Sequence, residues 1–123
     1  MAAEATVSII AELTGLGQLQ QLAEKFSITT TPARCVYHYM EQATADEEEA
    51  LDIGDVGTVH LIILKCIAND VDIDTSYAAA TFSAEIECQE GEVCVFKPTG
   101  TVYIQNDDAA EKSKIEYLVI GAA

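Results

Sequence analysis

Apolar and polar residues alternate with a period of two along most of the chain, which is the pattern of strands that bury one face. The clearest runs span residues 6–13, 34–40, 81–88 and 113–120. In the last run, Ile115, Tyr117 and Val119 are predicted to share one face. No run has the spacing of a long amphipathic helix, so the pattern predicts an all-β protein.

Residues 58–66 differ from the other runs because they are apolar at nearly every position. Strands that are buried on both faces have this pattern. We therefore expect this segment to be an inner strand of a sheet, with Ile63 buried in its middle.

Turn-forming residues separate the runs at about ten-residue intervals. They lie at residues 54–57, 69–70, 90–91, 98–100 and 106–108. They predict one β domain over residues 1–123, a β-sandwich or jelly roll of about eight or nine short antiparallel strands. Residues 1–26 are expected to be an N-terminal arm or first hairpin, and residues 18–25 to form one or two helical turns.

Charge changes the picture more than any other feature of composition. Half of the 123 residues are hydrophobic, enough for a core, but 21 acidic residues oppose six basic ones, giving a net charge of −15. The basic residues are scattered, so we expect neither nucleic acid nor an anionic membrane as a partner. The acidity is expected to serve solubility or docking on a basic protein surface, with residues 43–49 as an exposed acidic loop or short helix.

The cysteines and the start of the chain bear on the cellular compartment. No basic segment followed by a long apolar one opens the chain, and the longest apolar runs, such as residues 61–64, are far too short for a membrane helix. These features predict folding in a cytoplasm. Cys35, Cys66, Cys88 and Cys94 are then expected to be reduced and packed as small apolar side chains. A disulfide or a zinc site is the alternative, although no C-x-x-C spacing occurs.

Asp70, Asp72 and Asp74 alternate, so on a strand their side chains would point to one face. They predict either a solvated strand face or a cation site outside the EF-hand class. The EF-hand pattern fails because Thr75 and Thr81 stand where that loop needs Gly and Glu.

Catalytic chemistry has little support in the sequence. His38 and His60 lie in apolar strands without a nucleophile motif and are interpreted as structural. We therefore assign no catalytic residue, no cofactor-binding residue, no cofactor and no metal ligand, and we do not expect an enzyme. Four of the five tyrosines lie in predicted strands, where packing is expected to explain them, whereas Tyr77 lies in an apparent loop.

Several short motifs follow one another between residues 54 and 119. They are Gly54-Asp55-Val56, the run 62–65 followed by Asn69, Gly91-Glu92 with Phe96, the run 102–104, and Glu116-Tyr117-Leu118. In this order they resemble a strand followed by Asn, a G-E-x-x-x-F strand and a closing E-Y-L strand in small virion structural proteins of tailed phages. One departure is Cys66, which stands where that first strand would end directly in Asn.

The resemblance implies a capsid decoration or cement protein that is not an enzyme. Its partner would be the major capsid protein or another virion protein. It would be a homotrimer located in the virion after assembly in the host cytoplasm. No catalytic residue transfers, and Gly54, Gly91 and Glu92 would be structural, forming turns and a strand start. The alternative is a ligand- or carbohydrate-binding β-sandwich module.

Overall fold

A computed structural model describes residues 3–15, 17, 18, 20–28, 31–42, 48–106 and 112–123. These residues form ten β-strands and no helix, which confirms the all-β prediction. The strands are β1 (Thr6–Leu13), β2 (Gln20–Ser27), β3 (Arg34–Gln42), β4 (Glu48–Ala50), β5 (Thr58–Ala68), β6 (Val71–Tyr77), β7 (Ile86–Cys88), β8 (Val93–Phe96), β9 (Thr101–Asn106) and β10 (Ser113–Ala122). Ten strands slightly exceed the expected eight or nine. Two of them, β4 and β7, are only three residues long.

Two four-stranded sheets and one hairpin account for all ten strands, and every pairing is antiparallel. The first sheet has the order β3-β10-β5-β8, and the second sheet has the order β4-β9-β6-β7. β1 and β2 pair with each other as a two-stranded hairpin, which we call the arm. The two larger sheets share one hydrophobic core, so the domain is a jelly-roll-like β-sandwich, as predicted.

The core is built from alternate residues of the inner strands of both sheets. Ile115, Tyr117 and Val119 of β10 are buried in it on one face, as the sequence pattern predicts. Tyr117 is the largest fully buried side chain, and its hydroxyl donates a hydrogen bond to the carbonyl oxygen of Asp52 at 2.6 Å. The core phenol therefore has a partner for its polar end.

β5 lies between β10 and β8, so its prediction as an inner strand is confirmed. The expected burial of Ile63 is wrong, however. Ile62 and Leu64 are fully buried, whereas Ile63 is only half-buried because it points to the outer face of the first sheet. A two-layer sandwich has a single core, so even a central strand keeps one face outside it.

Several predicted turns occur, and two of them depend on left-handed backbone. Asn69 has φ of 58° between β5 and β6, and Gly91 has φ of 87° between β7 and β8. Gly54 also has positive φ, and a Cβ there would come within 2.8 Å of the Val36 side chain. Turn residues 107 and 108, and residues 43–47 of the predicted acidic loop or helix, lie outside the described residues.

Local propensity misleads at two segments. Residues 20–25 belong to strand β2 instead of a helical turn, because eight residue pairs join β2 to β1 in a continuous ladder. The run 81–88 is a strand only over Ile86–Cys88. Ala79 and Ala80 have positive φ, and a hydrogen bond from the Ser83 N–H to buried Asp74 holds the following segment in a loop.

Candidate functional site

The arm has one apolar and one polar face. In the register of β1 and β2, the residues that share the apolar face are Val7, Ile9, Ala11, Leu13, Leu22 and Phe26, with Glu24 and Gln20 among them. Leu13 is 51% exposed and Leu22 is 59% exposed, and Ile9 and Phe26 are also exposed. An isolated hairpin with an uncovered apolar face is marginally stable in water, so this face has the character of a contact surface.

The opposite arm face is mostly polar. It carries Ser8 opposite Lys25, Glu12 opposite Gln21, and Ile10 opposite Ala23. Ile10 is 71% exposed and lacks a continuous apolar surround. Because it lies on the same hairpin but on the other face, Ile10 is the natural control position for tests of the apolar face.

The arm joins the sandwich at the outer face of the first sheet. Val7 is buried, and Leu61 and Ile120 are the two other buried apolar residues that do not belong to the main core. Leu61 and Ile120 are paired on the outer face of β5 and β10. Residues 3–6 and Ile120 line a common cavity of about 400 Å³, which places the start of the arm beside this end of the sheet.

An apolar band crosses the rest of that outer face. Leu118 of β10 lies opposite Tyr37 of β3 on one side and Ile63 of β5 on the other. Ile63 in turn lies opposite Val95 of β8, so the band spans all four strands. A groove of about 230 Å³, lined in part by Tyr37, Ile63 and Val93, runs across it.

The tyrosines of β3 are part of this surface. Tyr37 is 64% exposed and Tyr39 is 54% exposed. The expectation that packing explains the strand tyrosines is therefore wrong for these two residues. The Tyr37 hydroxyl donates a short hydrogen bond to the Glu116 carboxylate, and this bond raises the pKa of Tyr37.

Charges on this face balance. Glu116 lies opposite Lys65 across β10 and β5, and Lys114 lies opposite Glu41 across β10 and β3. Two lysines thus face two glutamates, although the chain as a whole has a net charge of −15. The first sheet therefore presents an apolar centre with a neutral polar border.

The outer face of the second sheet is acidic by contrast. One row across its strands consists of Glu48, Gln105, Asp72 and Glu87, each opposite the next. Among these paired residues there is no Lys or Arg to balance the carboxylates. The two outer faces of the sandwich therefore differ sharply in charge.

The three aspartates of the sequence pattern take different positions. Asp70 lies in the turn before β6 and accepts a hydrogen bond from the Glu90 N–H at 3.1 Å. Asp72 is half-buried, and Asp74 is buried with 2% exposure. The expectation of one solvated face is therefore wrong for Asp74. Among the described residues, no group of three or more His, Cys, Asp or Glu side chains is arranged to hold a metal ion.

Asp74 organises the loop that follows β6. Its Oδ1 accepts a hydrogen bond from the Ser76 N–H and its Oδ2 from the Ser83 N–H, both at 2.9 Å. Burial raises the pKa of the Asp74 carboxyl, but the N–H groups of Ser83 and Ser76 stabilise the carboxylate more, so the pKa is lowered overall. This arrangement supports a structural role for the carboxylate.

Tyr77 is the last residue of β6, so its predicted position in a loop is wrong. Its ring stacks on Tyr103 with 3.6 Å between ring centroids and an interplanar angle of 14°. Its hydroxyl donates a hydrogen bond to Glu48 at 2.7 Å, which raises the pKa of Tyr77 to about 12. Both ends of the side chain are thus engaged within the domain.

The histidines lie apart from each other. His38 Nε2 is 3.7 Å from Asp52 Oδ2, and its ring contacts the ring of Tyr117 at 5.7 Å between centroids. His60 is half-buried, and its Nδ1 has no hydrogen-bond partner among the described residues. His38 thus contacts Asp52 and the core residue Tyr117.

The cysteines divide between core and surface. Cys66 and Cys88 are buried and Cys94 packs against the core, as expected of small apolar side chains, but Cys35 is exposed. All four are free thiols. Burial raises the pKa of Cys66 to about 11 and that of Cys88 to about 12, which keeps both thiols protonated and unreactive near neutral pH.

Fold and surfaces together define a β-sandwich module with an N-terminal hairpin arm. The described residues contain no helix long and apolar enough to cross a membrane. No family model matches the sequence, and no curated protein matches it. Among solved structures, the chain is similar to the cupin domain of Cnp3 from Schizosaccharomyces pombe, with 13% identity and a TM-score of 0.44 over 93% of this chain and 83% of that domain. At this level the likeness says nothing about function.

Sequence reasoning allowed for an arm or first hairpin over residues 1–26, but it identified neither the second strand of the arm nor the apolar band of the first sheet. The second strand of the arm was hidden by a leucine spacing that also fits a helical turn. Gln20, Leu22 and Glu24 lie on one face of β2, so no alternation of apolar and polar residues marks this segment as a strand.

Proposed function

We propose that this protein is a non-enzymatic structural protein of a virion that decorates the outer surface of a phage capsid as a symmetric oligomer. Its partner would be the major capsid protein or another virion protein, and its location the assembled virion. Neither nucleic acid nor membrane would be bound. The motif resemblance described above led to this class.

One observation carries the proposal: the arm projects an apolar face that the described part of the chain leaves exposed. Leu13 and Leu22 are each more than half exposed on this face. Exposed apolar surfaces of this kind mark contacts with other proteins. A projecting β-hairpin is suited to binding a neighbouring subunit, because it offers both side chains and edge backbone groups.

Charge supports an outer location. With a net charge of −15 and an acidic second sheet, the protein would be repelled by packaged nucleic acid. An outward position in a protein shell avoids that repulsion. A basic patch on the shell protein would favour the same orientation.

Co-sedimentation with capsids assembled without this protein tests the proposal. We expect saturable binding at a fixed ratio to the shell subunit. The double variant Leu13→Ser with Leu22→Ser should bind at least about tenfold more weakly, because truncating a central, well-packed residue of a contact between subunits can cost more than about 1 kcal/mol.

Ile10→Ser is the matched control, since it removes an even more exposed apolar side chain from the other face of the arm. It should bind like the unmodified protein. If the unmodified protein fails to bind capsids at micromolar concentration, the decoration function is wrong.

Exposed Tyr37 and Tyr39 favour a second candidate function, a ligand- or carbohydrate-binding module. The ring of Tyr37 lines the groove on the first sheet, and Tyr39 lies two residues further along β3 opposite Glu116, so a planar ligand face could stack there. Titration with a glycan library, followed by tyrosine fluorescence, tests it. Saturable quenching that is lost in Tyr37→Ser would support this candidate over the structural one.

A further inference from the structure

We propose that the apolar face of the arm packs on the apolar band of the first sheet in a second copy of this chain. The band consists of Tyr37, Leu118, Ile63 and Val95, and the arm face presents Ile9, Leu13, Leu22 and Phe26. The inference deepens the proposed function, since it names the contact that would build the symmetric oligomer.

Complementarity is the first argument. The chain exposes two apolar surfaces, one on a narrow two-stranded hairpin and one on a broad four-stranded sheet face with a groove of about 230 Å³. The start of the arm lies beside one end of this outer face, because residues 3–6 and Ile120 line the same cavity. There Val7, Leu61 and Ile120 are buried outside the main core, beside the cavity lined by residues 3–6.

The exposed side chains show that the arm does not cover the first sheet of its own chain. Leu22 on the arm and Tyr37 on the band are both more than half exposed, so neither covers the other within one chain. Past Val7, therefore, the apolar arm face and the band each remain open. A second copy would provide a band to cover the arm face and an arm to cover the band.

The second argument is charge, which favours a second copy of this chain as the partner of the first sheet. Two chains with a net charge of −15 repel each other unless they meet through neutral faces. The first sheet has the balanced pairs Glu116 with Lys65 and Lys114 with Glu41, whereas the second sheet is acidic. Glu24 is the single charged residue on the apolar arm face, and Lys65 at the border of the band has the opposite sign.

Area is the third argument. A two-stranded arm eight residues long is about 27 Å by 10 Å, so one contact buries about 500 Å² in total and two contacts about 1,000 Å². A reciprocal pair, which places both contacts in one interface, therefore reaches the minimum of about 1,000 Å² expected of a specific interface. Arm-on-sheet contacts join different surfaces, so they close either as a reciprocal pair or as a ring such as the trimer that the resemblance implies.

The test uses sedimentation velocity and light scattering on three full-length proteins. The arm variant is Leu13→Ser with Leu22→Ser, the band variant is Tyr37→Ser with Val95→Ser, and Ile10→Ser is the control. All altered residues are exposed, so melting curves should show folded sandwiches. We expect the unmodified protein and the control to form the same closed oligomer, and each double variant to associate about 100-fold more weakly.

Mixing the two double variants distinguishes this contact from others. The arm variant keeps an intact band and the band variant keeps an intact arm, so a mixed pair restores one good contact and forms a heterodimer. If the interface instead joined band to band, mixing would restore nothing.

Three outcomes would overturn the inference. One is a monomeric unmodified protein at all accessible concentrations, and another is an oligomer unchanged by both double variants. The third is an arm variant that loses capsid binding while its oligomer mass stays unchanged. That third result would place the arm on the shell and leave the decoration function standing. Failure of the unmodified oligomer to bind capsids would remove the function and leave the inference standing.

Discussion

The carboxylate of Asp74 accepts a hydrogen bond from the backbone N–H of Ser83, nine residues further along the chain, at 2.9 Å. The other carboxylate oxygen accepts the Ser76 N–H at the same distance. One buried side chain thus closes the loop between β6 and β7. Asp74, which the sequence pattern placed on a solvated strand face, is instead a buried residue that stabilises this loop.

Asp74→Ala should destabilise the fold by about 2–3 kcal/mol, because it leaves two backbone N–H groups without their acceptor. Urea denaturation followed by circular dichroism measures this loss. Glu49→Ala is the control, since it also removes a carboxylate from the second sheet but at an exposed position. Equal stabilities of the two variants would contradict a structural role for Asp74.

Acid unfolding should report on the same carboxylate. Because the folded-state pKa of Asp74 is lowered, its stabilisation is fully present above its ordinary pKa of 3.8 and is lost as pH falls through the lowered value. Asp74→Asn should therefore show a smaller loss of stability below about pH 4 than the unmodified protein. If the variant and the unmodified protein lose the same stability below about pH 4, other carboxylates dominate acid unfolding.

Substitutions at two adjacent residues of β5 should have very different effects on folding stability. Ile62 is fully buried, whereas Ile63 points to the outer face and is half-buried. Ile62→Ala should cost about 3 kcal/mol and Ile63→Ala about 1 kcal/mol or less. Ile62→Asp should abolish soluble expression, whereas Ile63→Asp should stay soluble. Insoluble Ile63→Asp would mean that the outer face is covered more tightly than the structure indicates.

Tyr117 should affect stability at high pH. Burial raises its pKa to about 12, above the ordinary value of 10.0. The stabilisation of the neutral phenol is therefore fully present below pH 10 and is lost as pH rises through 12. Tyr117→Phe should lose about 1 kcal/mol at pH 7 from the missing bond to Asp52 and should show a smaller alkaline loss. Tyr39→Phe, at an exposed ring, should change neither measurement.

The acidic row of the second sheet should weaken the fold at low salt. Asp72 and Glu87 lie directly opposite each other on β6 and β7, where like charges destabilise a strand pair. Glu87→Lys should raise stability by about 0.5–1 kcal/mol in 10 mM salt and by less in 150 mM salt. Thermal melts at the two salt concentrations measure the difference. The melting temperature of the unmodified protein should rise with salt. A fall would indicate that attraction between opposite charges dominates over repulsion within the acidic row.

Much of the fold could be predicted because its signals are local. Alternation along β10 predicted which of its residues face the core, and the turn residues at Asn69 and Gly91 marked two reversals. The candidate surfaces could not be predicted in the same way. The arm depends on pairing between Ala11 and Leu22, eleven residues apart, and the apolar band depends on contacts among four strands.

By itself, the sequence determined that this chain is an all-β sandwich with a strongly acidic surface, because period-two alternation and charge are properties of the residues themselves. Only the tertiary structure decided which apolar residues lie outside the core. Ile62 and Ile63 are chemically identical neighbours, and the packing of the second sheet buries Ile62 and leaves Ile63 half-exposed on the outer face. The same holds for Asp74, whose burial depends on a loop folded back over it from residues 76–83. Strand pairing and layer packing join residues distant in sequence, so no local pattern specifies them.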